Sequence, residues 1–217
     1  MVERITAAAH VHLARDGAAG LSMRAIARDV GVVSSAVYRY VPSRDALLRL
    51  LVTDAVADLS ATVAAAEGAV RRGDLRTRFV TTARAVRSWA HANPAEHALV
   101  ASRALPAFEP PVAAAGTVGV VPSLLLAILD ESAARGGAPT DPAPRLTAAV
   151  RRDLAAVRRT SGLAMGEDVV ARGLVAWAAI AGAVSLEMSG QLSGLTVDPE
   201  AWFTHEVDRL ARWCGLS

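Results

Sequence analysis

The chain contains no lysine: all 23 of its basic residues are arginine. The plain reading is codon bias in a GC-rich genome, yet the bias has a chemical consequence. Any phosphate contact from a basic side chain must use the guanidinium fork, which binds phosphate bidentately. There is one cysteine, Cys214, so no internal disulfide can form and a disulfide-built scaffold is excluded. Neither sign of charge dominates, and a net charge of +2 is too small to argue for a polyanionic partner by itself. No run alternates with period two, so strands are not expected. There is no internal repeat. The first residues include Glu3, Arg4, His10 and Arg15 and no apolar leader core, so a cytoplasmic location is expected.

Catalytic chemistry is also missing. No glycine cluster has the spacing of a nucleotide-binding loop. His10 and His12 stand two apart in a helical stretch, face different ways and cannot share a metal. His91 and His97 flank the Asn93-Pro94 break, but no Cys or carboxylate at ligand spacing accompanies them. They read as helix-end or core histidines. Cys214, beside Trp213, reads as a packing residue rather than a reactive thiol. The expectation is no enzyme, no metal and no cofactor.

One long uncharged run, Val112 to Leu129, reaches eighteen residues, the lower limit for a membrane span. Gly116, Thr117, Gly119, Pro122 and Ser123 interrupt it, and its ends lack aromatic anchors. It reads as a buried helix that kinks or starts near Pro122, and no membrane is expected.

What the chain does have is apolar residues at helical spacing. The hydrophobic fraction is 53% and the mean hydropathy +0.32, much of it from alanine, a strong helix former that buries little area. A length of 217 residues suits one or two domains. A long helix is predicted over 45–67, with Leu47, Leu48, Leu51, Ala55, Leu59 and Val63 along one side. Further helices are expected over 74–91, over 94–105 ahead of a Pro-rich break, through Leu124 to 134, over 145–159 with a basic face, and over 165–191. Asp198-Pro199-Glu200 then gives a cap and an N1 proline for a last helix to Trp213. Residues 136–144, GGAPTDPAP, form a loop.

The most informative stretch is residues 22–48, SMRAIARDVGVVSSAVYRYVPSRDALL. Ser22 can accept from the free amides of the turn that follows it. Ala25, Ile26 and Val30 make an apolar stripe, and Gly31 stands where a left-handed residue must stop the helix. A second short helix over about 34–40 turns Ser34, Ser35, Tyr38 and Arg39 outward, while Ala36 and Val37 look inward. A short helix with a slim, hydrogen-bonding outer face suits the DNA major groove, which is just wide enough for one helix. Pro42 ends it, Ser43 caps the next helix, and Arg44 stands in that helix's first turn, an anion-binding position. Residues 1–50 hold seven Arg against four acids, whereas the remainder holds sixteen against seventeen, so the positive excess lies with this helix pair. The plain alternative is an ordinary helical hairpin, in which the Ser-Ser-x-x-Tyr-Arg face has no packing purpose.

These residues resemble the DNA-binding domain of the tetracycline-repressor (TetR) family. The matching positions are Ser22-Met23-Arg24, Ile26-Ala27, Gly31-Val32, Val37-Tyr38, Tyr40 and Pro42-Ser43-Arg44 before Leu47-Leu48. Upstream, Ala7-Ala8-Ala9, Leu13-Ala14, Asp16-Gly17 and Leu21 fit the family's first helix and its exit. Val33 departs by replacing a common Ser cap, so the cap weakens or shifts to Ser34; Val41 replaces a common Phe. By that resemblance Ser34, Ser35, Ala36 and Tyr38 face base edges, and Arg24 reaches a base or phosphate. Ser22, Arg39, Tyr40 and Arg44 bind backbone phosphates.

Farther on, residues 172–187 carry small side chains at four-residue spacing, notably Ala178 with Gly182 and Ala179 with Ala183. This is similar to the regulatory domain of TetR-like proteins that carry a Trp and then a His-Gly pair; here Ala181 stands in place of that His. The resemblance implies that the last two helices pair with a second subunit as a four-helix bundle. The fold expected is therefore all-α: an N-terminal three-helix DNA-binding domain with a helix-turn-helix over residues 1–48, and a larger helical ligand-binding and dimerisation domain over 49–217. The function expected is a homodimeric regulator, a repressor released from a palindromic double-stranded operator by a small apolar or aromatic effector. The 45–67 helix would link effector site to DNA. Trp89, Phe108, Leu125, Leu129 and Trp177 are candidates to line the effector site, with His91 or His97 as polar anchor; the alternative for each is a plain core role. The alternative functions are a helical enzyme or carrier that uses the central cavity, and a DNA binder without ligand control.

Overall fold

The computed structural model describes residues 1–101, 119–139, 141 and 145–216. Ten helices and no named strand occur among them. The described residues fall into two compact units. One takes residues 1–59 and 90–101, the other 60–89 and the described residues from 119 on. The division falls inside one helix, between Leu59 and Ser60.

The first unit starts with α1 (Val2–Gly20), whose helical path breaks at Gly17 (φ 67°, ψ 176°). It continues with α2 (Met23–Val30), α3 (Ser34–Tyr40) and the first part of α4 (Arg44–Gly68), and it includes α6 (Pro94–Ala101). Its core is Ile5, Leu13, Ile26, Val37, Leu47 and Leu51, all without exposed surface, and the shortened Val41 is also fully buried. Each such side chain contributes about 1.5–3 kcal/mol by leaving water. Polar ties join the helices over this core. His12, itself buried, donates from Nε2 to Asp29 at 2.6 Å and accepts at Nδ1 from the Arg15 guanidinium at 3.1 Å, so α1 is locked to the end of α2. Arg4 donates to the Val30 carbonyl at 2.8 Å and closes that end of α2.

The second unit holds the end of α4, α5 (Leu75–Ala92) up to Trp89, α7 (Val120–Ala134), α8 (Ala148–Thr160), α9 (Glu167–Met188) and α10 (Pro199–Trp213). α9 packs on α7, α8 and α10. Phe79, Leu125, Leu126, Ile128, Leu129, Ile180 and Phe203 fill the core. Caps follow the local sequence: Asp198 accepts from the Ala201 amide at 2.9 Å and Thr147 from Val150 at 3.4 Å. α7 starts at Gly119 with Pro122 in its first turn, where a proline lacks only an amide that would be unpaired anyway. Part of the uncharged run tested as a membrane span, residues 112–118, lies outside the described residues. Cys214 is buried, and burial pushes its thiol up to about 12, so it stays protonated.

Candidate nucleic-acid interface

The site is built on a turn. At the end of α2, Gly31 is left-handed (φ 76°, ψ 33°); its amide donates to the Arg28 carbonyl at 3.0 Å and the Val32 amide to the Ala27 carbonyl at 2.9 Å. That doubly closed end fixes the angle at which the chain leaves α2. At the other end Ser22 accepts from the Ala25 amide at 3.4 Å. α3 begins at Val33, whose side chain offers no cap; its carbonyl instead accepts from the Ala36 amide at 2.9 Å. Ser34 lies inside the first turn and does not take over the capping role.

α3 is held by one face alone. Val37 is fully buried, and Ser34 and Ala36 are half-buried. Ser35, Tyr38, Arg39 and Tyr40 are exposed, the tyrosines at 46% and 52%. About half of each tyrosine is left uncovered by the rest of the chain. Arg24, on α2, is exposed, and neither it nor Arg39 makes a hydrogen bond or ion pair with any described residue. Exposed cations without an internal partner are what a polyanion can pair with.

Arg44 is placed differently. Its Nε donates to the Leu21 carbonyl at 3.3 Å, and its Nη2 to the carbonyls of Ala18 and, at 3.4 Å, Ala19. It thus satisfies the frayed end of α1 beyond the Gly17 break. Its side chain remains exposed. The Ser43 hydroxyl caps α4 by accepting from Ala46 at 3.0 Å. Sequence reasoning foresaw the Ser43 cap but missed the Arg44 bonds to the end of α1 and the ties of Arg4 and His12. The signal in Arg44's case is an α1 end with no capping side chain.

The residues singled out for an effector lie in both units. In the second, Leu125 and Leu129 of α7 are buried, as is Trp89 of α5, while Trp177 of α9 is half-buried. Leu129 Cδ1 lies 3.1 Å from where a side chain at Gly173 would begin, so at that level α7 and α9 are in direct contact. In the first unit His91 is exposed and His97 half-buried. Burial and the charge of His91 hold His97 below its ordinary value, which favours the neutral ring. Phe108 lies outside the described residues.

α9 has an apolar, little-covered face. It is long and apolar enough to cross a membrane by length and composition, yet only 39% of it is buried within the chain. Val175 is 53% exposed and Leu186 39%, with exposed Ala178 and Ala179 between them. A side chain added at Gly182 would meet nothing within 4 Å. The close helix approach inside the protomer occurs instead at Gly173, against Leu126 and Leu129.

Known proteins share this architecture. Residues 5–51 match bacterial regulatory proteins of the tetR family, and residues 79–210 match the tetracyclin repressor-like C-terminal domain. The chain is 42% identical over 193 residues to the HTH-type transcriptional regulator Rv1816 of Mycobacterium tuberculosis, covering 86% of this chain and 80% of the relative. Among solved structures, a protein of unknown function from Rhodococcus superposes with a TM-score of 0.71 at 26% identity, over 97% of this chain and 93% of that one. A bacterial regulatory protein of the tetR family, also from Rhodococcus, shares the fold at a TM-score of 0.61 and 18% identity, over 99% and 97% of the two chains. With both parts of the chain matched in order, and the helix-turn-helix formed, the chain belongs to the TetR family of transcriptional regulators.

Proposed function

We propose that the protein is a homodimeric repressor that holds a near-palindromic operator and leaves it when a small apolar or aromatic molecule binds the second unit. The observation that carries the DNA part is the outer face of α3, with Ser35, Tyr38, Arg39 and Tyr40 exposed and Arg24 unpaired among the described residues. In this reading Ser34, Ser35, Ala36 and Tyr38 face base edges and Arg24 a base or phosphate. Ser22, Arg39, Tyr40 and Arg44 hold the backbone and set register. Arg44 stays exposed although its Nε and Nη2 donate to carbonyls, which supports a phosphate contact through its remaining donors.

The dimer reading rests on α9. An apolar helix face with Val175, Ala178, Ala179 and Leu186 uncovered suits a second copy of itself across a twofold axis. α10 would complete the bundle. Two recognition helices would then meet half-sites about one turn apart, roughly 34–36 Å.

The effector reading rests on the apolar chemistry around Trp89, Leu125 and Trp177 in the second unit. A ligand that releases DNA must bind the DNA-free form more tightly, by the same factor by which DNA weakens the ligand. The test is selection of bound fragments from random duplex DNA, followed by anisotropy titration of the selected site with and without a panel of hydrophobic compounds. Enrichment of an inverted repeat, and loss of binding with at least one compound that also raises the melting temperature, is the expected result. Enrichment of no sequence overturns the operator reading, and no compound effect across the panel overturns ligand control.

A further inference from the structure

Val33 is the unexplained residue of the recognition element. It is the N-cap of α3, where Ser, Thr, Asp or Asn would accept from a free amide, and it makes no such bond. Nor does it gain packing in exchange. Its side chain is 69% exposed, whereas Val32 is half-buried and Val37 fully buried. A capping position thus carries an apolar group that the protomer does not use, fixed in place by the Gly31 turn and by its own carbonyl, which holds the Ala36 amide at 2.9 Å. Local rules are broken this way where the compensating contact lies outside the chain.

The place of Val33 says what that contact is. The N-terminal end of a recognition helix is the end that reaches base edges in the major groove. The side chains that follow, Ser34 and Ser35, are hydrogen-bonding groups that take either donors or acceptors. An apolar side chain at that end finds one apolar feature on the groove floor, the 5-methyl group of thymine. We propose that Val33 is a specificity-determining residue that reads a thymine methyl in each half-site. The proposal rests on the DNA-binding reading of α3. It adds to it one base preference, made by shape and burial rather than by a hydrogen bond.

The methyl group can be removed from the DNA without touching a hydrogen bond, by replacing thymidine with deoxyuridine. The operator is first selected from random duplexes. Each thymine of the half-site is then replaced in turn, symmetrically, and the affinities of wild type, Val33→Ala and Val33→Ser are measured. One position is expected at which deoxyuridine weakens wild type about fourfold per half-site, the effect of exposing one methyl group. At that position the discrimination should shrink in Val33→Ala and vanish in Val33→Ser. Val33→Ser should also melt no lower than wild type, because it restores a cap. That separates reading from folding. If no thymine position is sensitive, or if the sensitivity survives unchanged in both variants, the assignment is overturned. A chain that enriches no sequence at all overturns the operator reading and this inference together, whereas a methyl-insensitive operator overturns this inference alone.

Discussion

Arg78 donates from Nε to Glu67 Oε1 at 2.6 Å, between two side chains each about 5% exposed. The same guanidinium reaches Glu131 of α7 at 2.5 Å through Nη1, and Arg72 holds the other side of Glu67 at 2.7 Å. The end of α4, the start of α5 and the end of α7 are therefore fastened through one buried cation. Replacing one partner of such a pair strands the other charge, which costs about 3–5 kcal/mol; replacing both by apolar groups of similar volume is far cheaper. Arg78→Met should thus lower stability by about 3 kcal/mol, moderated by Arg72, and Arg78→Met with Glu67→Leu should recover most of it. Urea unfolding of the two single variants and the double variant measures the coupling; additive losses would show that the pair is not coupled.

Acid should unfold the protein in two stages, with signs fixed by the folded-state values. His97 is held below its ordinary 6.5 by burial and then by the charge of His91. Below that pH the unfolded chain takes up a proton that the folded chain resists, so stability begins to fall. The second stage belongs to carboxyls held low in the folded state. Glu131 is lowered from 4.5 by the hydrogen bond from Arg78, and Asp208 from 3.8 by that from Arg76. Their contribution is present above those ordinary values and is lost as pH falls through them towards the folded values. Melting temperatures taken from pH 8 to pH 3 should show a shallow decline below about 6.5 and a steeper one below about 4.5. His97→Asn should remove the first stage and leave the second.

Three arginines of the first unit should behave differently on DNA. Arg24→Ala should cost about 1–3 kcal/mol at the selected site, the worth of a bidentate base contact. Arg39→Ala should weaken all sequences alike and lower the salt slope by about one, with no change in melting temperature. Arg44→Ala should lower the salt slope and also the melting temperature, since Arg44 holds the carbonyls of Ala18 and Leu21. Binding titrations over several salt concentrations, paired with thermal melts, separate the three. An unchanged melting temperature for Arg44→Ala would remove its structural role.

The contrast among these arginines marks what a sequence carries. Ser22, Gly31, Ser43 and Asp198 act on amides and dihedrals within a few residues, so their roles were legible. Leu75, Phe79, Ala83 and Val86 stand at helical spacing within the helix expected over 74–91, and α5 runs Leu75–Ala92. The bonds of Arg4 to Val30, Arg44 to Leu21 and Arg78 to Glu131 span 26, 23 and 53 residues. Nothing local distinguishes those arginines from the exposed Arg24 or Arg39, because partner choice depends on which helix ends the fold brings together. The exposed Val33 was visible as a departure from the family pattern, but the lack of any contact that would explain it was not.

The two glycines of α9 sharpen the same point. Small residues at four-residue spacing suggested close helix approach around Ala178 and Gly182, but spacing cannot say which small residue faces which neighbour. Within the protomer the close approach is at Gly173: an added methyl would lie 2.5 Å from Leu126 Cδ2 and 3.1 Å from Leu129 Cδ1, both in fully packed side chains. Gly173→Ala should therefore cost about 1–3 kcal/mol through overpacking. Gly182 opens onto empty space, so Gly182→Ala should leave the protomer intact and gain up to about 1 kcal/mol of helix propensity. If a second copy packs there, the larger Gly182→Arg should hold the copies apart. Light scattering at micromolar concentration should then read a dimer for wild type and a folded monomer for Gly182→Arg, with weakened operator binding because one half-site is lost. A Gly182→Arg protein that remains dimeric would place the twofold interface elsewhere, and a monomeric wild type would remove it.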